Sequence, residues 1–124
     1  MRADVIQRLG LGAMQAIKQN PSFPYRTGNL MHNAIWCDFS RPNTFTIVFD
    51  TTIAPYIPYL EYGVPPQHYF KPSINKMVYT RGSMRHVGFI SERATQDVIQ
   101  YLAKQFRSEV NYQVTNNEGR TYIQ

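Results

Sequence analysis

The stretch IWCDFSRPNTFTIVF, Ile35 to Phe49, decides the fold. Ile35, Cys37 and Phe39 alternate with Trp36 and Asp38, and Phe45, Ile47 and Phe49 alternate with Thr44, Thr46, Val48 and Asp50. A period of two sends successive side chains to opposite faces, so each half reads as a strand with one apolar side. Ser40 to Asn43, with Pro42, supplies the turn residues between them. The pair is expected to form an antiparallel hairpin with one face buried.

Helical patterns flank this hairpin. From Ala3 to Gln19, Val5, Ile6, Leu9, Ala13, Ala16 and Ile17 recur at helical spacing, and Asn20-Pro21 ends the pattern. Gly10 and Gly12 each weaken this helix by about 1 kcal/mol relative to alanine, so its order depends on docking against a sheet. A second amphipathic helix is expected to start with Ser91 as its cap and to carry Ala94, Val98, Ile99, Leu102, Ala103, Phe106 and Val110. It should pack on the apolar face of the hairpin. After it, Tyr112 and Val114 alternate, Asn116 to Gly119 turn, and Tyr122 and Ile123 follow, which suits a last strand or hairpin. The order helix, hairpin, loop, helix, strand implies an α+β domain, with two main helices on one face of a small antiparallel sheet.

Two connecting regions are distinctive. Pro21 to Arg26 reads as extended chain, and Thr27 can cap a short helical turn with Gly28 and Asn29 accepting tight geometry. In APYIPYLEYG, Ala54 to Gly63, prolines allow at most one helical turn from Pro58 to Tyr62. From 67 to 89 periodicity is poor, and Gly82 and Gly88 flank residues of a basic segment, so an extended arm or long loop is expected.

The 124 residues fit one domain, and 43% hydrophobic residues suffice for a core. Nine tyrosines are an excess that suits half-buried surfaces between chains. A single cysteine, Cys37, excludes an intrachain disulfide and a Cys-rich zinc site. No apolar run approaches the roughly 18 residues of a membrane span, and Arg2, Asp4 and Arg8 stand where a secretion signal needs an apolar block. A soluble, unexported protein without a membrane partner is expected. The net charge of +5 permits an acidic or nucleic-acid partner, and the stretch from Lys71 to His86, with Lys76, Arg81 and Arg85, has no acid.

Catalytic motifs are missing from the sequence. Glu61 is a lone acid among rings, with Asp50 and His68 as its conceivable partners in space. A shielded acid between Leu60 and Tyr62 is better read as a structural acceptor, because a buried charge must be paired. His32, His68, His86 and Cys37 lack metal-ligand spacing, and Gly10, Gly12 and Gly28 fit no phosphate-binding loop. Cys37 falls on the inward side of its strand, which suits a small core residue. The expectation is a non-enzyme with no catalytic, metal or cofactor site. A basic segment that includes Tyr79 also permits phosphate contacts and stacking, although charge-rich loops are commonly just solvated.

Two motifs in order suggest a family. Pro24-Tyr25-Arg26-Thr27-Gly28-Asn29-Leu30, a hairpin, and then Tyr56-Ile57-Pro58-Tyr59-Leu60-Glu61-Tyr62-Gly63 resemble the tail-completion or head-to-tail joining proteins of tailed bacteriophages, also described as minor capsid proteins. The resemblance runs from the first helix through the second. It departs at Val64-Pro65-Pro66, where such proteins commonly have Thr or Ser after the glycine. Their aromatic-proline lead into the second helix corresponds either to Tyr69-Phe70-Lys71-Pro72 or to His86-Val87-Gly88-Phe89.

The resemblance implies a homo-oligomeric ring, typically a hexamer, at the neck–tail junction of the virion. A neck or head-closure protein and a tail tube protein would be its neighbours. DNA would pass through the lumen without sequence-specific binding, and the host cytoplasm would be the place of assembly. Within this picture Arg26, Thr27, Gly28, Asn29, Leu30, Glu61 and Gly63 form a structural brace, with the Glu61 carboxylate accepting amides of the 27–30 turn or pairing with Arg26. Tyr56, Tyr59 and Tyr62, with Lys71, Lys76, Arg81, Arg85 and His86, would serve the subunit or partner interface. The alternative is a small basic nucleic-acid-acting protein, such as an RNA-cleaving toxin of α+β type.

Overall fold

The computed structural model describes residues 2–24, 28–84, 87–106 and 111–123. The fold is α+β, with helix α1 (Ala3–Gln19), strands β1 (Ile35–Asp38) and β2 (Thr46–Phe49), a short helix α2 (Ile57–Tyr62), strands β3 (Gln67–Lys71) and β4 (Lys76–Thr80), helix α3 (Thr95–Phe106), and strands β5 (Gln113–Thr115) and β6 (Thr121–Ile123). Wide π-type turns at Leu30–Ala34 and Phe89–Ala94 lead into β1 and α3.

The predicted hairpin forms with Ile35 opposite Phe49 and Cys37 opposite Ile47, while Trp36 faces Val48 on the outer side. Cys37 is half-buried, 3.3 Å from the Gly10 carbonyl, and burial pushes its thiol pKa up. The segment 67–89 differs from the expected loop. Most of it is a second hairpin, β3–β4, turned by Pro72–Ile74 with Asn75 in the left-handed region. Its strands alternate, but both sides carry large side chains, so no amphipathic period stands out in the sequence. The tail forms the third hairpin, β5–β6. The described strands thus make three two-stranded ladders instead of one sheet.

The closest helical cover of β1 and β2 is α1, while α3 packs on α1 and β5 and shares a core with Ile47 and Phe49 of β2. The reason lies in the two glycines of α1. A Cβ at Gly10 would stand 2.7 Å from the Phe39 ring, and one at Gly12 would overlap Tyr101. Their bare backbone lets the hairpin close on one side of the helix and α3 on another. Leu9, Ala13 and Ile17 of α1 are buried with Val98 and Leu102 of α3, and Phe89 stands edge-on to Phe23 and Phe49 at 5.7 and 5.8 Å.

α1 ends at Asn20, as the Asn-Pro signal predicts, and that residue also ties the two helices together. Its amide nitrogen donates to both Asp97 carboxylate oxygens, at 3.0 and 3.1 Å, and its oxygen accepts the Ser22 N–H at 2.9 Å. Burial raises the Asp97 pKa, against the opposing hydrogen bond from Asn20. A carboxyl with a raised folded-state pKa contributes stability below its unfolded pKa and loses it as pH rises through the folded value. Asp97→Asn keeps an acceptor for Asn20 and removes the charge. Thermal melts between about pH 4 and 7 should show the variant at least as stable as the parent at neutral pH, with a flatter profile. A variant clearly weaker at neutral pH would contradict this account of Asp97.

Candidate functional site

Glu61 lies in the last turn of α2 and is only 3% exposed. Its carboxylate accepts the Ile90 N–H at 2.7 Å and the Ser91 N–H at 3.0 and 3.2 Å, one bond to each oxygen. Its backbone carbonyl accepts the Gly88 N–H at 2.8 Å. The first amides of a helix have no partner within the helix, and the partial positive charge there favours an anion. Glu61 therefore caps the long helix from a distant segment. The expected local cap, Ser91, contributes its N–H as donor instead, and the residue at the N-cap position, Gly88, has no side chain with which to cap.

Among the described residues the donors to the Glu61 carboxylate are Ile90 and Ser91 and not the expected amides of residues 28–30, while the expected pairing with Arg26 lies outside the described residues. The donors belong to the lead-in of α3, because the chain reaches that helix through Gly88 directly beside α2. Of the two possible lead-ins, the one at Gly88-Phe89 precedes the long helix, whereas Tyr69-Phe70-Lys71-Pro72 belongs to the β3–β4 hairpin. The Ser91 carbonyl accepts Asn116 Nδ2 at 3.1 Å, so one peptide neighbourhood joins α2, α3 and the tail hairpin. Asn116 in turn accepts the Glu118 and Arg120 N–H groups at 3.0 and 2.9 Å.

The 28–30 turn braces the tyrosine-rich segment by another route. Asn29 Nδ2 donates to the Ile53 carbonyl at 2.8 Å, Leu30 is buried, and the Gly28 carbonyl accepts the His32 N–H at 2.9 Å. Arg26 and Thr27 lie outside the described residues, as do Arg85 and His86. Asp50 accepts the Thr52 and Ile53 N–H groups at 2.9 and 3.3 Å, and these bonds, that from Thr52 first, lower its pKa. Gly63 closes α2, donating its N–H to the Tyr59 carbonyl at 2.9 Å. Tyr56 packs half-buried against the core, while Tyr59 and Tyr62 are 49% and 65% exposed.

Beyond Gly63 the β3–β4 hairpin stands out as an arm. Val64 and Ser83 exchange backbone hydrogen bonds of 2.6 and 2.7 Å at its base. The register places His68 opposite Tyr79 and Phe70 opposite Met77 on one face, and Tyr69 opposite Val78 and Lys71 opposite Lys76 on the other. Phe70, Met77 and Tyr79 are 52%, 59% and 63% exposed. His68 meets Tyr79 edge-on at 5.5 Å. Lys71, Lys76 and Arg81 are exposed. This apolar face is what sequence reading missed. The pairing Phe70–Met77 could have been found by treating Pro72 to Asn75 as a hairpin turn.

Among the described residues no three of His, Cys, Asp and Glu gather as a metal site, and no helix is long and apolar enough to cross a membrane. Compared with known proteins, the chain matches no family model, no curated protein and no solved structure.

Two predictions follow from this geometry. Glu61→Ala leaves one buried and one part-buried amide without an acceptor and should cost about 2–3 kcal/mol in urea unfolding, while Glu61→Gln, which keeps one acceptor oxygen, should cost about 1–2 kcal/mol. An alanine variant within about 0.5 kcal/mol of the parent would show that the cap is not structural. Gly82 has φ +80°, and a Cβ there would overlap the Val64 carbonyl oxygen and lie 2.7 Å from Pro65 C and Pro66 N. Gly82→Ala should therefore strip hydrogen-exchange protection from the arm while α1 and α3 keep theirs. Equal loss throughout would mean that arm and body open as one unit.

Proposed function

We propose that this chain is a structural subunit of a tailed-phage virion, assembling into a ring that completes the tail and joins it to the neck. The observation that carries the reading is the arm, a strand pair whose Phe70, Met77 and Tyr79 face solvent on an otherwise braced body. Contiguous exposed apolar side chains mark surfaces that meet other macromolecules. Tyr59 and Tyr62 add exposed aromatic surface, of the kind enriched in protein interfaces. The resemblance of the Pro24–Leu30 and Tyr56–Gly63 motifs to tail-completion proteins supplies the biological setting.

Glu61 supports the same side of the argument. An acid for proton transfer must reach a substrate, whereas this carboxylate is buried and engaged by two main-chain amides. Lys71, Lys76 and Arg81 suit a channel through which DNA passes, by charge and without base recognition. Light scattering and negative-stain electron microscopy of the purified chain should show a closed ring of several subunits, without ribonuclease activity. A monomer that cleaves RNA would overturn this reading and establish the toxin-like alternative.

A further inference from the structure

A groove of about 1410 Å³ separates β2 from the tail hairpin. Residues 43–49 and 111–117 line it without interruption, so residues from both faces of β2 and of β5 border it, as they do where a strand turns an edge toward a gap. Its floor is helical and largely apolar, with Leu9 of α1 and Val98, Leu102 and Phe106 of α3. Each described ladder has two strands, so every strand has one edge turned away from its partner. An occupant that suits such a gap offers apolar side chains to the floor and backbone donors and acceptors to the sides.

The arm has both features. Its two strands carry Phe70, Met77 and Tyr79 on one uncovered face, and their outer edges are unpaired in their ladder. A two-stranded hairpin is marginal in water until its face is covered. The chain's own arm does not supply that cover from its own groove, because no described residue between 50 and 89 lines it. We propose that the β3–β4 arm of a second copy docks in this groove, with Phe70, Met77 and Tyr79 on the helical floor and the arm's strands alongside β2 and β5.

Lys71 and Lys76, paired on the opposite face, then remain toward solvent. The contact is head-to-tail, since the arm and the groove are different surfaces of one chain, and repetition closes a ring or extends a filament. The inference deepens the ring reading and rests on it only for the presence of several copies.

Photo-crosslinking tests it on the full chain. Benzoylphenylalanine is placed at position 70, and light and heavy isotope-labelled copies are mixed before illumination. Cross-linked peptides of mixed label should map to 43–49, 94–106 or 111–117. Phe70→Asp, at an exposed site, should reduce the assembled mass to that of a monomer with an unchanged far-ultraviolet circular dichroism spectrum. Cross-links confined to one copy, mixed-label cross-links elsewhere, or a monomer at every concentration would overturn the proposal. A ring that survives Phe70→Asp removes the arm contact and leaves the ring reading intact. Arm-to-groove cross-links in a protein that assembles as an open filament remove the closed-ring reading and leave the contact.

Discussion

The structure depends on one buried anion. Glu61 sits in a six-residue helix too short to hold itself in water, yet it fixes the start of the longest helix in the second half of the chain. The dependence is mutual. The amides of Ile90 and Ser91 would be unpaired without the carboxylate, and the carboxylate would be an uncompensated buried charge without them. Because the Ser91 carbonyl also binds Asn116, the same few atoms set the position of the tail hairpin.

That clamp explains how an arm can leave the body without loosening it. The residues before the arm are held by Glu61 and Gly63, and those after it by the Gly88 N–H bond to the Glu61 carbonyl. Both ends of the excursion are therefore pinned near one residue. The Val64–Ser83 bridge closes the neck of the arm a few atoms further out. Whatever the arm contacts, force on it is delivered to the lead-in of α3 and the end of α2, where main-chain and charge-assisted bonds are concentrated.

Local patterns were legible in the sequence, and the encounters between distant segments were not. The bounds of α1, the Ile35–Phe49 hairpin, the single turn of α2 and the tail hairpin follow from period, proline and turn chemistry. The stripe that predicts the second helix holds at Ala94, Val98 and Leu102, whereas Ala103 is exposed and Val110 lies outside the described residues; the helix does not start at a Ser91 cap, because a remote acid satisfies the amides. Sequence reading places Glu61 as a structural acceptor and cannot choose its donors, since a carboxylate binds any pair of amides that topology brings near. Gly10 and Gly12 read as costs to α1 because helix propensity is local; their benefit depends on Phe39 and Tyr101, distant in the chain.

The three ladders give the final step. A strand pair with one covered face can persist on a helical body, and β1–β2 has α1 beneath it. β3–β4 carries its large side chains outward on both faces, so its order calls for a surface that the body of the same chain does not provide. Polar groups at the Glu61 end are mutually satisfied, while apolar side chains and strand edges are left open on the arm and along the groove. A chain that places closure at one end and two unlike open surfaces elsewhere is suited to joining copies in sequence, with each copy covering on its neighbour what it leaves open on itself.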